Sequence, residues 1–597
     1  MSDVTSEPPF LGVARSLGGR VWRSRPGDER VALALAQRLG VPDVVGRVLA
    51  SRGVALHDCE SFLEPTLRDC LPDPSHLKDM DGAAERLAAA IRRGEQVAVF
   101  GDYDVDGATS SALLKRFFAA ADAPLRIYIP DRVSEGYGPN AAALRRLASE
   151  GVSLVVTVDC GTTAFEALAA GRAAGLEIIV VDHHQAEPRL PDGCTVINPN
   201  RLDDASPHGS LAAVGLTFLL VVALNRTLRQ AGWYRERSEP DLLRWLDLVA
   251  LGTVCDVVPL KGLNRVLVAQ GLKVLAERRN PGLRALADVA KMEARPGAFH
   301  LGFLLGPRIN AGGRVGRADL GARLLTTDDE AEAVAIAQTL DRLNAERRTI
   351  EGALLQAALL QADERRDRPL ILIAGRNWHE GVLGIVASRL KDRYRRPVFV
   401  LSITEGIAKG SGRSVAGIDL GAAVTAARQA GLLINGGGHA MAAGITLEES
   451  RIPELENFLS ARLAAASEAA ESVDSLNLDG AVSLGGVNRQ LFDLLERAGP
   501  YGAGHPEPRF AVPAARVVKA EVVGGEHVRA ILSGGDGGRL TGIAFRVADT
   551  ALGQALLAGQ GRPLHLAGKL RADDWRGRNG VQLSIEDAAM PEMTVRE

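Results

Sequence analysis

The sequence predicts an α/β protein of several domains: a parallel sheet covered by helices, a second α/β unit, a long helix between the two, and a small β-barrel near the C-terminus. Apolar runs alternate with alanine-rich helical patterns over residues 80–315, which is typical of a parallel sheet. Residues 319–366 contain no glycine between Gly321 and Gly352 and favour one or two long helices. Beyond residue 510, short strand patterns are broken by glycines, as in small barrels.

The length of 597 residues is too great for one hydrophobic core. We therefore predict five regions, with the first boundary at a proline-rich stretch near residue 72. They are a mostly helical region at 1–75, the first α/β domain at 76–317, the helical connector at 318–367, the second α/β domain at 368–450, and a helical lead-in followed by the barrel at 451–597.

Composition narrows the class of protein. An apolar fraction of 46% with 24% charged residues describes an ordinary globular protein, and we find neither an apolar run of about 18 residues nor the layout of a signal peptide. Five scattered cysteines exclude a disulfide framework and a CxxC zinc site, which fits a reducing cytoplasm. The net charge of −3 argues against a uniformly basic surface, although not against a basic groove.

Three aspartates directly follow the apolar strand pattern at residues 97–100. Asp102, Asp104 and Asp106 occupy alternate positions at the edge where open α/β sheets bind ligands. Three like charges this close repel one another, so a cation or strong hydrogen-bond donors must hold them. Oxygen ligands indicate Mg²⁺ or Mn²⁺. From these residues alone, an acidic loop that caps the helix beginning near Gly107 is an equally good interpretation.

Other predicted strands end in residues of related chemistry: residues 125–129 lead to Arg132, residues 152–158 to Asp159, and residues 176–181 to Asp182, His183 and His184. Because the carboxyl ends of parallel strands share one edge of a sheet, these side chains should lie close together. A lone histidine is most often structural. An imidazole pair beside acids and an arginine at one edge instead indicates a metal-dependent phosphoesterase.

This arrangement resembles the DHH phosphoesterase superfamily, which is named after the tripeptide found here at 182–184. Residues 101–107 (GDYDVDG) resemble its first motif, residues 158–161 its second, and residues 248–260 its fourth, in which Asp256 would complete the metal cluster. Without the resemblance, an aspartate between apolar runs is usually a turn or cap residue.

Further motifs are similar to one branch of the superfamily, the bacterial single-strand-specific 5′→3′ DNA exonucleases. They lie, in the expected order, at 306–316 (GPRINAGGRVG, with Gly312 for the usual alanine), 378–390, 411–413, 436–444 and 500–510. The resemblance implies release of 5′-mononucleotides from single-stranded DNA in recombination and repair. It also implies a cytoplasmic monomer with single-strand-binding protein and a RecQ-type helicase as partners.

The resemblance also implies roles for residues. Asp104, Asp106, Asp159, His183 and Asp256 would bind two Mn²⁺ or Mg²⁺ ions, with Asp159 bridging them. The residues expected to act in catalysis are His184, Asp102 and Asp106; His184 would touch the scissile phosphate, as acid or as hydrogen-bond donor, and Asp102 would be a ligand or a support. Arg132, Ser411 and Arg413 would hold the 5′-phosphate, and Asn310, Arg314 and His439 would contact substrate. The structural alternatives are an arginine that caps carbonyls and an asparagine turn.

Two other functions remain open from the sequence. Another DHH enzyme, acting on short oligonucleotides, cyclic dinucleotides or pyrophosphate, is the nearer one, but the additional C-terminal barrel favours a long polymer. A DNA-binding scaffold without activity is the other, and the filled ligand positions argue against it.

We expect the barrel to be an OB-fold, which usually binds single strands through aromatic residues. The candidates are Tyr501, Phe510, Trp575 and Phe545, of which Phe545 is expected in the core.

Overall fold

The computed structural model describes residues 8–132, 134–470, 474–559, 561–573 and 580–591. The chain divides into two compact units. The larger unit comprises residues 70–471, and the smaller one joins residues 1–69 to residues 472–597. None of the helices in the described part of the chain combines the length and the apolar character needed to cross a bilayer.

The N-terminal segment contains one strand and four short helices: β1 (Val21–Ser24), α1 (Glu29–Leu39), α2 (Asp43–Ser51), α3 (Cys59–Leu63) and α4 (Leu67–Cys70). The larger unit begins with α5 (Met80–Arg93), β2 (Val97–Gly101), α6 (Val105–Ala120), β3 (Leu125–Tyr128), α7 (Ala141–Ser149), β4 (Leu154–Val158), α8 (Phe165–Ala173), β5 (Glu177–Val181) and β6 (Thr195–Ile197). It continues with α9 (Ala213–Gln230), α10 (Leu246–Cys255), α11 (Gly262–Ala276), α12 (Pro281–Val289), a π-helical segment (His300–Leu305), α13 (Gly306–Val315), α14 (Leu320–Thr326) and α15 (Glu330–Asp363).

The second half of the larger unit contains β7 (Ile371–Arg376), α16 (Glu380–Tyr394), β8 (Val398–Thr404), β9 (Ile407–Arg413), α17 (Leu420–Gln429), β10 (Asn435–His439), β11 (Ala442–Glu448) and α18 (Ile452–Ala470). The C-terminal part of the chain contains β12 (Ser475–Leu478), β13 (Gly480–Ala481), α19 (Arg489–Arg497), β14 (Phe510–Val523), β15 (His527–Ser533), β16 (Arg539–Ala544), α20 (Ala551–Ala558), β17 (Pro563–Asp573) and β18 (Gly580–Ala589). Short 3₁₀ turns lie at Phe10–Gly12, Pro74–His76, Trp233–Arg235, Leu242–Trp245 and Glu449–Arg451.

The first sheet of the larger unit is parallel throughout, with strand order β3-β2-β4-β5-β6. Every residue of β2 and β4 is buried, which confirms the prediction that helices cover both faces. The strand order reverses between β2 and β4, and ligands of open α/β sheets bind in the crevice at such a switch point. The strands that precede the aspartate loop and Asp159 therefore flank the expected site.

The second sheet has the order β10-β11-β9-β8-β7 and is parallel only between β7 and β8. It follows α15, a helix of 34 residues whose first amides are capped by Asp329. At 1.5 Å per residue the helix is about 50 Å long. Its C-terminal half buries Leu354, Ala358 and Ala362 in the core formed with β7, β8 and α16. The fold class predicted for this part, two α/β units joined by a long helix, is confirmed.

The smaller unit contains a closed five-stranded barrel with the order β14-β15-β16-β18-β17, in which β17 pairs back onto β14. The pairing of β16 with β18 is parallel and the other barrel pairings are antiparallel, as in an OB-fold. The N-terminal segment belongs to this unit, because β1 pairs with β12. Leu35, Val45 and Leu49 of the N-terminal helices are buried in the same core as the barrel residues.

The barrel aromatics differ from expectation in one case. Phe545 was expected in the core, but it is 54% exposed because Leu540, Gly542 and Ala544 are the inward positions of β16, and the alternation places the next residue outward. Phe510 is fully buried, and Tyr501 is half-buried and stacks on His505. Trp575 lies outside the described residues. Phe545 is therefore the one candidate among the described three that offers an open ring face.

Candidate metal centre and phosphate pocket

The aspartate loop after β2 serves two structural purposes at once. One oxygen of Asp104 accepts hydrogen bonds from the amides of Asp106 at 2.8 Å and Gly107 at 3.1 Å, which caps α6. The carboxylate of Asp106 accepts from Ala213 at 2.7 Å and Val214 at 2.9 Å, at the start of α9. The cap interpretation is thus correct for Asp104. It does not exclude a cation, because each carboxylate oxygen can accept more than one partner.

Asp159 lies at the end of β4 in a strained conformation. Its φ angle is +61°, a value that a non-glycine residue adopts at a cost and that is often found at functional sites. Its side chain is 3% exposed, and its Oδ1 atom lies 3.3 Å from His183 Nε2. Asp256, the residue after α10, places its Oδ2 atom 3.5 Å from the same nitrogen. Residues from the ends of β4, β5 and α10 therefore meet at one point.

Several polar atoms at this point are buried and have no hydrogen-bond partner among the described residues: Asp102 Oδ1, Asp159 Oδ1, His183 Nε2 and Asp256 Oδ2. Buried polar atoms are nearly always satisfied, so four orphans in one place require an explanation. A bound cation supplies it.

Three overlapping sets of side chains offer ligand atoms within 4.8 Å of one another: Asp102, Asp104 and Asp159; Asp106, His183 and Asp256; and Asp159, His183 and His184. Asp159 and His183 each belong to two of the sets. A donor set of carboxylate oxygens with one imidazole suits Mg²⁺ and Mn²⁺. The residues present therefore fit divalent cations, and the sets offer room for more than one.

The electrostatics of the cluster also require cations. Burial, followed by repulsion from Asp104, raises the pKa of Asp102, Asp106 and Asp159, in the case of Asp106 to about 7. Burial, followed by repulsion from Asp106, raises the pKa of Asp256 to about 9. Burial lowers the pKa of His183 to about 4, which keeps its ring neutral and able to donate a lone pair. Without cations, the repulsion among these carboxylates is relieved when some of them bind protons. Bound cations would offset the same repulsion and keep the carboxylates ionised.

His184 differs from His183 because it has an acidic partner. Its Nδ1 atom lies 2.7 Å from Oδ1 of Asp182, and this hydrogen bond raises the pKa of His184 against the opposing effect of burial. Burial would raise the pKa of Asp182, but hydrogen bonds from His184 and the Thr162 amide lower it. Asp182 therefore orients the His184 ring and favours its charged form.

Two tyrosines belong to the site although the sequence analysis did not select them. The Tyr137 hydroxyl donates to the carbonyl of Asp159 at 3.0 Å and lies 3.3 Å from Nδ1 of His184. The Tyr103 ring packs edge-on against that of Tyr137 and lies beneath the guanidinium of Arg132, 4.8 Å from its centroid. The position of Tyr103 between Asp102 and Asp104 could have identified it as a site residue from the sequence. Tyr137 had none, because its loop has no strand pattern.

Three arginines from distant segments form a basic pocket beside the acids. Arg132 follows β3, Arg314 lies on α13 and Arg413 ends β9. Burial and the charge of Arg132 lower the pKa of both Arg314, to about 10, and Arg413. No carboxylate among the described residues comes within 4 Å of any of the three guanidinium groups. Partly buried cations that repel one another and have no acidic partner within 4 Å form a site for an anion.

Helix α16 packs tightly against this pocket because it carries glycines in its first turns. Arg314 Nη1 donates to the carbonyl of Gly381 at 2.9 Å. A methyl group at Gly384 would lie 2.8 Å from Arg413 Nη2 and 3.1 Å from Ser411 Oγ. Ser411 and Arg413 are two residues apart on one strand and so face the same side of the sheet. The two glycines, which the sequence analysis did not select, leave the room that this close packing needs.

The remaining predicted substrate residues lie nearby. Asn310 is half-buried on α13, one helical turn before Arg314. The ring of His439, in β10, stacks on that of His184 with centroids 6.2 Å apart. Together with His183, Asp419 and Gly438, these two histidines line a cavity of about 640 Å³. The structure thus brings the predicted acids and histidines together with His439, and places the arginines beside Asp102 and Asp104.

The fold and the site define a class: a parallel sheet with a cation-binding acid cluster at its switch point, beside an anion pocket, is a metal-dependent phosphoesterase of the DHH type. Comparison with known proteins agrees, since residues 96–253 match the DHH family N-terminal domain, residues 367–465 the DHHA1 domain and residues 478–587 the RecJ OB domain. The chain belongs to the RecJ family of exonucleases.

The similarity to these relatives extends over 92–96% of this chain and 78–96% of theirs. The single-stranded-DNA-specific exonuclease RecJ of Dickeya dadantii is 38% identical over 566 residues, which are 92% of this chain and 96% of that protein. The crystal structure of RecJ from Thermus thermophilus in complex with Mn²⁺ has a TM-score of 0.80 at 33% identity, covering 96% of this chain and 80% of that one. The corresponding Mg²⁺ complex has a TM-score of 0.75 at 32% identity, with coverages of 96% and 78%.

Proposed function

We propose that the protein is a metal-dependent exodeoxyribonuclease that hydrolyses single-stranded DNA from the 5′ end and releases 5′-mononucleotides. One observation carries the proposal: arginines without acidic partners lie beside acids with orphan oxygens. The first group suits a terminal phosphate and the second suits the cations that act on the next phosphodiester bond. An enzyme that cleaves within a strand has no need of a pocket for a chain end.

In this proposal Asp104, Asp106, Asp159, His183 and Asp256 hold two Mn²⁺ or Mg²⁺ ions, and Asp159 is shared between them. Asp102 serves as a further ligand or holds the loop in place. When bound, the two cations lower the pKa of a water molecule and neutralise charge on the phosphate oxygens. Asp104 and Asp106 also keep the starts of α6 and α9 beside the site, so that the ligand oxygens are held in position before substrate arrives.

His184 acts on the scissile phosphate in this proposal. Asp182 holds the ring through Nδ1 and keeps Nε2 available as a proton donor to a phosphate oxygen or to the leaving oxygen. Tyr137 limits rotation of the ring through its contact with both ring edges. His439, stacked on His184, contacts the sugar or base of the terminal nucleotide in the cavity.

The chain end is held by Arg132, Ser411 and Arg413. Arginine suits this task because its planar fork donates two parallel hydrogen bonds to phosphate oxygens. Arg314 and Asn310, on one face of α13, contact the backbone of the same nucleotide. Since these residues come from both α/β domains of the larger unit, the 5′-phosphate would bridge the two.

The family suggests the remaining parts of the proposal. The protein would act in DNA recombination and repair, and it would be a monomer in the cytoplasm. It would cooperate with single-strand-binding protein and a RecQ-type helicase. The OB barrel of the smaller unit would bind the strand farther from its end.

A labelled digestion tests the proposal. A 5′-phosphorylated single-stranded 40-mer carrying a 5′ label should release labelled mononucleotide at once in Mn²⁺, whereas the same strand with a 3′ label should release its label last. A duplex of the same sequence should resist. If the protein consumes only a dinucleotide, it is a short-oligonucleotide phosphodiesterase. If the 3′ label is released first, the polarity is wrong.

A further inference from the structure

A single carboxylate joins the two ends of the loop between β3 and α7. Oε2 of Glu135 accepts a hydrogen bond from the Tyr128 hydroxyl at 2.6 Å, at the end of β3, and one from the side-chain amide of Asn140 at 3.1 Å, directly before α7. Its Oε1 atom accepts from the Asp131 amide at 3.3 Å. The loop, residues 129–140, is longer than the about two to six residues that usually connect a strand to a helix, and long ordered loops commonly carry function.

Both side-chain donors to this carboxylate are fixed by the fold. Tyr128 is 7% exposed, and its ring stacks on that of Phe100 in β2 with centroids 5.0 Å apart. Asn140 caps α7 by accepting a hydrogen bond from the Ala143 amide at 2.8 Å. Glu135 therefore attaches the loop to the sheet on one side and to the helix on the other.

Arg132 of the phosphate pocket lies inside the turn that ends at Glu135. The Glu135 amide donates to the carbonyl of Asp131 at 2.8 Å, and the amide and hydroxyl of Ser134 donate to the Asp131 carboxylate at 2.9 and 2.8 Å. The Arg132 guanidinium rests over the Tyr103 ring. The direction in which the arginine leaves the backbone depends on this turn, and the Glu135 carboxylate ties the turn to β3.

Tyr137, on the other side of Glu135, reaches the metal centre. Its hydroxyl donates to the carbonyl of Asp159 at 3.0 Å and lies 3.3 Å from Nδ1 of His184. Both neighbours of Tyr137 in the chain are glycines with positive φ angles, which let the backbone turn sharply there. The contacts of Glu135 fix the point at which this second turn begins.

We propose that Glu135 is a positioning residue: through the loop, its carboxylate places Arg132 for the 5′-phosphate and Tyr137 against His184. The inference rests on the proposed exonuclease function, in which Arg132 holds the chain end and His184 acts on the scissile phosphate. Recognition of the end and orientation of the His184 ring thus share one support. Loss of this carboxylate should weaken both, although it is not itself among the predicted cation ligands.

The first test measures affinity in EDTA, where no strand is cleaved. Fluorescence anisotropy compares a 3′-labelled single-stranded 20-mer that carries a 5′-phosphate with the same strand carrying a 5′-hydroxyl. In Glu135→Ala the preference for the 5′-phosphate, taken as the ratio of the two dissociation constants, should fall on the order of 10-fold, because a displacement of about 1 Å is costly to a positioned group.

Two variants control this measurement. Glu135→Gln should keep the wild-type preference, since its amide oxygen can accept from both Tyr128 and Asn140. Glu150→Ala removes an acid that is paired with Arg126 at the other end of α7, and it should also keep the preference. Together they separate the hydrogen bonds of Glu135 from its charge and from the general stability of this helix.

Kinetics and a double variant test the coupling. With Mn²⁺ and the 5′-hydroxyl strand, Glu135→Ala should lower kcat on the order of 10-fold through Tyr137. Arg132→Ala/Glu135→Ala should show the same 5′-phosphate preference as Arg132→Ala alone, because the two changes remove one interaction. A role confined to stability would lower the melting temperature of Glu135→Ala and leave its preference and kcat at the wild-type values, which would contradict the inference.

Tyr128→Phe provides a milder variant if Glu135→Ala does not fold. It keeps the ring on Phe100 and removes one donor to Glu135, so the preference should fall by about 2- to 5-fold. A wild-type preference in Tyr128→Phe and in any folded Glu135→Ala overturns the inference. A wild-type protein that binds the two strands equally contradicts the phosphate pocket of the proposed function, and the inference with it, so the two failures are distinguishable.

Discussion

Buried carboxylates occur in both units of the molecule, but their surroundings differ. In the smaller unit, the Asp479 side chain has no exposed surface and pairs with Arg52 at 2.6 Å and Arg25 at 3.1 Å. Asp587 pairs with Arg20 at 3.1 Å and accepts from the Trp22 indole at 3.1 Å. In the larger unit, Asp159 has like charges around it and an oxygen without a partner.

The same contrast holds for arginines. Arg52 is buried against an acid, whereas Arg413 and Arg132 are close to each other and have no carboxylate among the described residues within 4 Å. A buried charge with its counter-charge is part of the structure, and one without it indicates a ligand. The difference teaches that burial alone does not identify a functional residue; the missing partner does.

The largest expected effect is on activity. Asp159→Asn keeps the size of the side chain but removes a charge on which both cation sites depend, so Mn²⁺-dependent release of nucleotides should fall on the order of 10³-fold. Binding of single-stranded DNA, measured by fluorescence anisotropy, should change little. Asp549→Asn, at an exposed position of the smaller unit, is the matched control. If the Asp159→Asn variant retained a tenth of wild-type activity, Asp159 would not be a ligand on which both cation sites depend.

The next effect is on stability, in the other unit. Asp479→Ala leaves Arg25 and Arg52 buried without an acid and should lower the free energy of unfolding of the smaller unit by about 3–5 kcal/mol. Urea denaturation measures the change, with Asp549→Ala expected within about 0.5 kcal/mol of wild type. If Asp479→Ala is as stable as this control, the paired acids of the smaller unit are not structural.

Addition of Mn²⁺ should distinguish the acids of the metal centre from the paired acids of the smaller unit by its effect on the melting temperature. At 100 times its dissociation constant, Mn²⁺ should stabilise the larger unit by about 2.7 kcal/mol, seen as a higher melting temperature. Asp256→Asn should lose most of this increase, and Asp587→Asn should retain it although its starting temperature is lower. An undiminished increase in Asp256→Asn would remove that residue from the ligand set.

The smallest expected effect is on recognition of the 5′-phosphate of the DNA. Arg413→Ala removes one charged donor, so the preference for a 5′-phosphate over a 5′-hydroxyl should fall about 10-fold. The ratio of kcat/KM on the two 5′ ends measures it. Arg428→Ala, an exposed arginine on α17, should leave the ratio unchanged. A wild-type ratio in Arg413→Ala would mean that the unpaired arginines are not the phosphate site.

Much of the metal centre was predictable because it is built from strand ends. Asp102, Asp159 and His183 each follow an apolar run, and parallel strands must bring their carboxyl ends to one edge. Asp256 follows a helix, so only the resemblance to a family identified it. The structure adds that Asp104 and Asp106 also hold α6 and α9, a second role that depends on where α9 begins.

Other features had no local signal. Tyr137 and the glycines of α16 act through contacts with residues far away in sequence. The N-terminal segment completes the core of the barrel more than 400 residues later, and no periodicity within residues 8–69 indicates this. Phe545 was misassigned because it occupies the outward phase of its strand, one residue after the inward-facing Ala544.

The sequence by itself determined the parallel sheet, the chemistry at its edge, the long helix and the barrel, because each depends on the period and composition of a continuous segment. The tertiary structure alone decided which charges have partners. Whether Arg413 lies beside an acid or beside Arg132, and whether Asp479 or Asp159 has a counter-charge, depends on segments hundreds of residues apart. That information is in the packing, and it separates the structural charges of this protein from the functional ones.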